Sequence, residues 1–325
     1  MDSPYAAIKG KRIFVTGATG FIGMNLVESL LSSHADVHAL VHDESRGYLL
    51  RRLFPSVRTY PGDIRDAALI QKILCEVNPD IVFHGVTARS RQPEHERNLM
   101  FEINVRGAEN LIQACDMAGL KRLVVLASSL EYGHRDVPLE EQMVPLPHTL
   151  HGATRAAATF LFQQSAYGLG LPVVILRIFS VYGPWEPRHR FIPTAIMAGL
   201  LGGELKLTAP GIRHDYVHVD DVVEACLRAA ASADNVIGEI INIGTGVQAT
   251  NEEVAGHINE LTGGCIRVVP NSFPAREVDT SYWVADTRKC ESLLAWKPQI
   301  TLRSGLEDVI GWFRTNQLQG SSGAH

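Results

Sequence analysis

A strand, a glycine-rich turn and a helix follow one another at the start of the chain, and this order restricts the folds open to it. Residues 11–16 are rich in β-formers, and Gly17, Gly20 and Gly23 follow at once. A helical pattern then continues to Ser33. Glycines at such a turn let the backbone approach a pyrophosphate, which the positive end of the helix stabilises. The context therefore predicts dinucleotide binding, although a glycine motif alone also suits an ordinary tight turn.

Strands and helices continue to alternate beyond this unit. Further β-rich runs lie at 37–41, 80–87, 123–127 and 173–178, with helical patterns between them. Such alternation predicts a parallel, doubly wound sheet that binds its ligands at the carboxyl ends of the strands. We therefore expect an α/β protein with a Rossmann-like sheet and a smaller C-terminal substrate-binding lobe.

The length of 325 residues allows more than one domain. We expect residues 1–190 to form the dinucleotide-binding domain, with 211–245 returning to it. Residues 191–210 and 246–315 then form the substrate-binding lobe, and 316–325 a disordered tail.

Composition argues against several classes of protein. The net charge is -5 and no basic stripe stands out, so we expect no nucleic-acid partner. Neither a signal-peptide core nor an apolar run of spanning length is present, which predicts no membrane association. The five cysteines are scattered without a C-x-x-C pair, which is typical of reduced thiols in a cytoplasmic protein.

The end of the second strand addresses the choice between NAD and NADP. An acid there would bond the ribose 2′-hydroxyl, whereas a basic residue nearby would accept a 2′-phosphate. The chain has Val41 at this position, followed by His42 and Asp43, with Arg46 beyond. The missing acid favours NADP, but Asp43 could still serve the ribose, so both cofactors stay open.

Later strand ends complete the predicted cofactor site. Asp63 could accept from the adenine amino group, whereas Asp66 is better placed to cap the next helix. The fourth strand ends in small residues, as close approach to a cofactor requires. The predicted cofactor ligands are Gly17, Gly20, Phe21, Ile22, Gly23, His42, Arg46, Asp63, Ile64, Gly85, Val86 and Arg155.

A set of motifs resembles a known family. They are TGATGFIG (16–23), GDIRD (62–66), DIVFH (80–84), INVRGAENL (103–111), SSLEYG (128–133), HGATRAAA (151–158), LRIFSVYGP (176–184), DYVHVDDVVEA (215–225) and NIGTG (242–246). In order and spacing the chain resembles the extended short-chain dehydrogenase/reductases, the NAD-dependent epimerase/dehydratase family that acts on nucleotide sugars. The resemblance implies NAD or NADP, a nucleotide-sugar substrate and a homodimer formed through helices 103–118 and 151–168.

The resemblance also places the catalytic site within residues 128–155. It implies that Ser128 bonds the 4-oxygen of the sugar. The family's acid/base is the tyrosine of a Tyr-x-x-x-Lys pair, and here that pair is His151 and Arg155. Imidazole exchanges protons near neutral pH, and an arginine can bond a ribose or phosphate, so His151 is a candidate acid/base and Arg155 a clamp. A binding-only site, or an enzyme using Tyr182 or a substrate group, stays open.

The family's 4,6-dehydratases carry Asp-Glu directly after the Ser/Thr. This chain has Ser129 and Leu130 there, and Glu131 comes one place too late. We therefore expect a 4-ketoreductase or 4-epimerase with hydride transfer at C4, and not a 4,6-dehydratase. The alternatives are a dinucleotide-binding protein without the usual redox activity, acting as a sensor or through a repurposed cleft, and a reductase of a non-sugar carbonyl compound.

Three residues are candidate substrate ligands. Ser180 stands where the family usually has Asn, and Arg276 matches a diphosphate-binding arginine. The other such arginine is replaced by His214, so Arg213 would have to substitute for it. Because neighbours in a strand face opposite sides, Arg213 could do so only in an irregular segment. Residues 185–190 suit either a lid over the substrate or an ordinary surface loop.

We predict no metal site. His84 has no second ligand at a useful spacing and reads as a hydrogen-bonded structural histidine. His218, Asp220 and Asp221 form a cluster, but they match a family segment that caps a helix.

Overall fold

A parallel sheet forms the centre of the protein in the computed structural model, which describes residues 4–88, 96–264, 266–274 and 279–316. The strands are β1 (Arg12–Thr16), β2 (Asp36–Val41), β3 (Arg58–Pro61), β4 (Ile81–His84), β5 (Arg122–Ser128), β6 (Val173–Ile178), β7 (Ser180–Tyr182), β8 (Gly203–Lys206), β9 (Arg213–His218), β10 (Ile240–Ile243), β11 (Gln248–Thr250) and β12 (Ile266–Val269). The helices are α1 (Pro4–Ile8), α2 (Phe21–Ser32), α3 (Glu44–Leu53), α4 (Ala67–Val77), α5 (Arg97–Phe101), α6 (Gly107–Ala118), α7 (Leu150–Leu169), α8 (Phe191–Leu201), α9 (Val219–Ala231), α10 (Asn251–Thr262), α11 (Arg288–Leu294) and α12 (Leu302–Asn316).

The central sheet has seven strands in the order β10-β6-β5-β4-β1-β2-β3, with every neighbouring pair parallel. The chain passes from β1 to β2 on one side and later returns to β4 on the other. A crevice therefore opens at the carboxyl end of β1, where ligands bind in folds of this type. The predicted Rossmann-like α/β fold is confirmed.

Helices cover both faces of this sheet, which explains why its inner strands are apolar throughout. All six residues of β6 are buried, as are the first six of β5. One buried cluster joins the sheet to α2 and α9, and a second joins it to α4, α6 and α7. A π-helical turn, Glu102–Arg106, connects α5 to α6 and becomes important at the site.

The C-terminal part of the chain adds two small sheets. β8 pairs in parallel with β12, and β11-β9-β7 form a three-stranded sheet. A third apolar cluster joins α8, α10 and α12 to these strands. β10, within the segment 211–245, pairs in parallel with β6 at the edge of the central sheet, and the predicted domain division stays a prediction. The predicted tail, apart from Asn316 at the end of α12, lies outside the described residues.

Local sequence signals account for several boundaries. Asp66 accepts a hydrogen bond from the Leu69 amide at 3.0 Å and caps α4, as predicted.

Of the cysteines that the structure describes, Cys115, Cys226 and Cys290 are buried, Cys75 is exposed, and all four are free thiols. Among the described helices, none combines the length and hydropathy needed to span a membrane.

Candidate active site

A cleft of about 560 Å³ lies at the carboxyl edge of the central sheet. All twelve predicted cofactor residues line it, and so do Ser128 and His151. These residues lie at or just after the carboxyl ends of β1, β2, β3, β4 and β5, in the first turns of α2 and α3, and in the first two turns of α7. The parallel topology thus brings together side chains that lie far apart in the sequence.

The glycine turn leaves room at one end of this cleft. Gly17 has a φ of 77°, and a Cβ added there would lie 2.6 Å from the carbonyl carbon of Gly85. A Cβ on Gly23 would overlap the backbone of Gly17, so α2 packs directly on the turn. Gly20 caps α2 without a side-chain hydrogen bond, and the first turn of α2 has no acidic residue. This geometry fits a dinucleotide pyrophosphate at the amide end of α2.

At the end of the cleft where we predict that the adenosine binds, β2 ends without an acidic residue. Val41 is buried there, and the Asp43 carboxylate instead caps α3, accepting from the Ser45 amide at 2.9 Å and the Arg46 amide at 3.4 Å. The hydrogen bond from the Ser45 hydroxyl holds the pKa of Asp43 below its usual value. Arg46 lines the cleft with 64% of its side chain exposed.

Asp63 and His42 lie next to each other near this end. His42 Nδ1 is 3.4 Å from an Asp63 carboxylate oxygen, and Arg65 Nη2 donates to the same carboxylate at 2.6 Å. The Arg65 hydrogen bonds lower the pKa of Asp63, which is therefore ionised and able to accept from an amino group. Its predicted contact with adenine stays a prediction.

His151 is held in one orientation by the main chain. It is the second residue of α7, whose cap is Thr149, and its Nδ1 lies 3.1 Å from the carbonyl oxygen of Ala88. A carbonyl oxygen can only accept, so Nδ1 is the donor and carries the proton. In the neutral ring Nε2 is then the acceptor, which is the state required of a general base.

Asn104 was not predicted as a site residue, yet it fixes this contact. Its carboxamide oxygen accepts from the Ala88 amide at 2.7 Å, and its Nδ2 donates to the Ala88 carbonyl at 3.1 Å and to Thr154 Oγ1 at 2.9 Å. Asn104 is buried within the π-helical turn. The sequence signal that could have identified Asn104 was an amide side chain on an otherwise apolar helix face, because a buried amide needs specific hydrogen-bond partners.

Ser128 ends β5 and is held by a short turn that follows it. Its Oγ accepts from the Leu130 amide at 3.3 Å, and its own amide donates to Glu131 at 3.0 Å. The buried Glu131 carboxylate also pairs with Arg177 at 2.9 Å. Because Oγ serves as an acceptor here, the Ser128 hydroxyl proton can be donated to a substrate oxygen.

Arg155 braces the cleft wall. Its side chain is 3% exposed and donates to the carbonyls of Leu126 and, at 3.4 Å, Val86. Burial lowers the pKa of its guanidinium, which nonetheless keeps its charge. The Arg155 side chain thereby links the C-terminal part of β5 to the segment that follows β4.

His84 lies beneath this arginine and is structural, as predicted. Its Nδ1 is 2.8 Å from Thr16 Oγ1, and its ring is fully buried. Burial, together with the nearby Arg155 charge, lowers the pKa of His84 to about 3. His84 is therefore neutral and offers the cleft no titratable group.

Of the predicted substrate residues that the structure describes, neither Ser180 nor Arg213 lines this cleft, although Phe179 and Val181 on either side of Ser180 do. Ser180 Oγ is 3.3 Å from His214 Nδ1. Arg213 lies in the regular strand β9, paired with Thr250 of β11, so the irregular backbone that its predicted role requires is not found there. Its roles and those of Ser180 stay predictions, and Arg276 lies outside the described residues.

Two further residues that the sequence analysis considered are Tyr182, as an alternative acid/base, and His218, as part of a possible metal cluster. The Tyr182 hydroxyl is buried and donates to the Leu302 carbonyl at 3.4 Å, within the C-terminal apolar cluster. His218 Nδ1 accepts from the Asp220 amide at 3.3 Å and caps α9. Within the described ranges, no three or more His, Cys, Asp and Glu side chains are arranged to hold a metal ion.

Comparisons with known proteins agree on one family for this chain. The chain matches the NAD dependent epimerase/dehydratase family over residues 13–244. It is 29% identical over 324 residues to a UDP-N-acetyl-alpha-D-glucosaminuronate decarboxylase of Bacillus cytotoxicus, covering 94% of this chain and 98% of the relative. Other relatives are a UDP-glucose 4-epimerase of Lactobacillus helveticus and a dTDP-D-glucose 4,6-dehydratase of Mus musculus.

Solved structures agree over almost the whole chain. An epimerase of Methanothermobacter thermautotrophicus has a TM-score of 0.90 at 27% identity, covering 99% of this chain and 97% of that one. MoeE5, solved in complex with UDP-glucose and NAD, has a TM-score of 0.81 at 33% identity, covering 93% and 98%. With a family match over most of its length, the chain belongs to the NAD dependent epimerase/dehydratase family, among the extended short-chain dehydrogenase/reductases.

Proposed function

We propose that this protein binds NAD or NADP in the described cleft and acts on a nucleotide-diphosphate sugar as a 4-ketoreductase or 4-epimerase. The observation that carries the proposal is the hydrogen bond from His151 Nδ1 to the Ala88 carbonyl. It supports an imidazole whose Nε2 can exchange a proton where the family uses tyrosine. Ser128 lines the same cleft and offers a hydroxyl donor.

The chemistry requires a proton and a hydride to move at C4 of the sugar. When bound, the nicotinamide cofactor accepts or returns the hydride. During oxidation, His151 Nε2 takes the proton of the C4 hydroxyl, the electrons of the C4–H bond leave with the hydride, and a ketone forms. During reduction, the protonated ring returns its proton to the C4 oxygen. Ser128 donates to that oxygen and stabilises its partial negative charge.

For the cofactor we propose NADP over NAD. Val41 supplies no acceptor for a ribose 2′-hydroxyl, and Asp43 is engaged in capping α3. Arg46 lines the cleft beside them and can pair with a 2′-phosphate. Replacing Arg46 with Ala should weaken NADP binding by about 10-fold or more and leave NAD binding unchanged. Equal affinities of the wild type for both cofactors would contradict this preference.

A 4,6-dehydratase remains outside the proposal. Glu131 is buried and engaged with Arg177 and the Ser128 amide, so it is not free to move protons on a substrate. The Ser129 hydroxyl accepts from the Trp283 indole at 3.2 Å, away from the cleft residues. Formation of a 4-keto-6-deoxy sugar by the purified protein would contradict this part of the proposal.

The test begins with the protein as purified. The copurifying cofactor and any nucleotide are identified by mass spectrometry. The protein is then supplied with UDP-glucose, UDP-galactose, UDP-glucuronic acid and 4-keto-sugar nucleotides. A ketoreductase consumes reduced cofactor, detected by its absorbance, whereas an epimerase forms the C4 epimer without net consumption. Tight cofactor binding without either product would favour a non-redox binding protein. Carbonyl reduction without affinity for nucleoside diphosphates would favour a non-sugar reductase.

A further inference from the structure

A cationic side chain that the sequence did not single out lies at the pyrophosphate end of the cleft. Arg190 lines the cleft together with Gly17, Gly20 and Gly23. Its guanidinium carbon is 5.8 Å from the centre of the Phe21 ring. Phe21 is the first residue of α2, so a positive charge lies next to the helix end that fits an anion.

The loop that carries Arg190 is attached to this same helix. The Nδ2 of the buried Asn25, on α2, donates to the Pro184 carbonyl and to the Phe21 carbonyl, each at 2.9 Å. Residues 184–190 are thus tied to the glycine-turn helix through one amide group. The start of the loop that carries Arg190 is therefore fixed against α2.

A buried carboxylate orients the arginine. Glu186 Oε1 lies 3.1 Å from Arg190 Nε, with the Glu186 side chain 3% exposed and the arginine 33% exposed. Glu186 Oε2 is buried without a hydrogen-bond partner among the described residues. Burial opposes the ionisation of Glu186 and raises its pKa to about 7. The ion pair is made by Nε of Arg190, so this contact does not involve the two terminal nitrogens of the guanidinium.

The other two arginines of the cleft have different positions. The buried Arg155 guanidinium donates to the Leu126 and Val86 carbonyls. Arg46 lies at the adenosine end, 3.9 Å from Asp43. Of the arginines that line the described cleft, Arg190 is the one next to the first residue of α2.

We propose that Arg190, oriented by Glu186, binds the pyrophosphate of the dinucleotide together with the amide end of α2. This inference rests on the proposed function, because it requires a dinucleotide in the cleft. Arginine suits the task, since its planar donors match two phosphate oxygens at once. Glu186 acts through Arg190 and is a positioning residue.

Calorimetric titration of the whole protein with NADP, NAD, ADP, adenosine and UDP tests the proposal. Arg190→Gln should weaken NADP, NAD and ADP binding by about 10- to 100-fold, the range for a lost charge-assisted bond, and leave adenosine binding unchanged. Arg190→Lys should recover part of the loss. Glu186→Gln should give a smaller loss with the same preference for ligands that carry a diphosphate. Arg188→Gln, in the exposed part of the same loop, is the matched control and should bind like the wild type.

The outcomes separate the two proposals. If the wild type binds neither NAD nor NADP, the proposed function itself fails. If the wild type binds them and Arg190→Gln binds equally well, only the role of Arg190 is overturned. Loss of UDP binding with intact ADP binding would assign the arginine to the substrate diphosphate and also overturn it. Thermal melts of each variant distinguish lost contacts from lost folding.

Discussion

Asn104 binds both main-chain polar groups of Ala88, accepting from its amide at 2.7 Å and donating to its carbonyl at 3.1 Å. The same carbonyl receives His151 Nδ1 at 3.1 Å. One buried amide thus holds the acceptor that orients the proposed acid/base. The orientation of the His151 ring therefore involves Asn104 as well as α7.

Replacing Asn104 with Ala should therefore reduce turnover. Ala88 loses two contacts, and a misplaced imidazole is expected to lower kcat by about 10- to 100-fold. The lost buried hydrogen bonds should also reduce the free energy of unfolding by about 1–3 kcal/mol. Kinetics and urea unfolding measure both effects.

The control for this variant is Asn259→Ala. Asn259 on α10 accepts from the Ile266 amide at 2.8 Å, in the C-terminal lobe. Its loss should affect stability and leave kcat unchanged. Equal kcat values for the Asn104 and Asn259 variants would show that the Ala88 contact does not position His151.

Local patterns were sufficient to predict the cleft but not its internal contacts. The proximity of Gly17, after β1, to Gly85, after β4, could be anticipated, because the carboxyl ends of parallel strands lie at one edge of the sheet. The link from Asn104 to Ala88 could not, because it joins a π-helical turn to a loop across the fold. The ion pair of Glu186 and Arg190 was missed for a different reason. Residues 185–190 read equally well as a lid or a surface loop, and only packing on α2 distinguishes a buried acid from a solvated one.

Arg155→Lys introduces the residue that the sequence resemblance leads us to expect at this position, yet it should destabilise this protein. A lysine presents its donors from one nitrogen and cannot reach the Leu126 and Val86 carbonyls as the guanidinium does. We expect a loss of about 1–3 kcal/mol in the free energy of unfolding and weaker cofactor binding. Urea unfolding and cofactor titration measure these effects.

Arg122→Lys is the matched control. Arg122 is also buried and donates to the Ser232 carbonyl at 2.8 Å from the first residue of β5, whereas the cleft residues Leu126, Ala127 and Ser128 lie at the other end of that strand. Its replacement should lower stability while sparing cofactor affinity. Undiminished stability of the Arg155→Lys protein would contradict the bracing role.

Glu186→Gln should change how stability depends on pH. Burial raises the pKa of this acid from 4.5 to about 7, so between these values the folded state binds more protons than the unfolded state. The contribution of Glu186 to stability therefore falls as pH rises through this window and is level above it. Relative to the wild type, the glutamine variant should gain roughly 3 kcal/mol across the window.

Urea unfolding on both sides of that window measures the difference. The exposed Glu307→Gln variant is the control and should follow the wild type at every pH. A glutamine variant that instead loses relative stability as pH rises would mean that the Arg190 ion pair outweighs the cost of burial.

Homodimerisation through α6 and α7 is a further prediction. Exposed apolar side chains lie on these helices, with Phe160 51% and Met117 63% exposed. Phe160→Glu would place a charge on this surface and should convert a dimer into a monomer in light scattering after size exclusion. Leu201→Glu, at a 66% exposed position in α8, should leave the mass unchanged. A monomeric wild-type protein, or no effect of Phe160→Glu, would contradict the predicted interface.

The proton-exchange role of His151 is tested most directly by comparing His151→Phe with His148→Phe on the active sugar nucleotide. His148 packs edge-on against His134, with ring centres 4.5 Å apart, and does not line the described cleft. His151→Phe should lower kcat by about 10²–10⁴-fold, the usual contribution of a general acid/base, while cofactor affinity stays unchanged. His148→Phe should turn over like the wild type. Wild-type turnover by His151→Phe would contradict the account, because the proton would then be carried by another group.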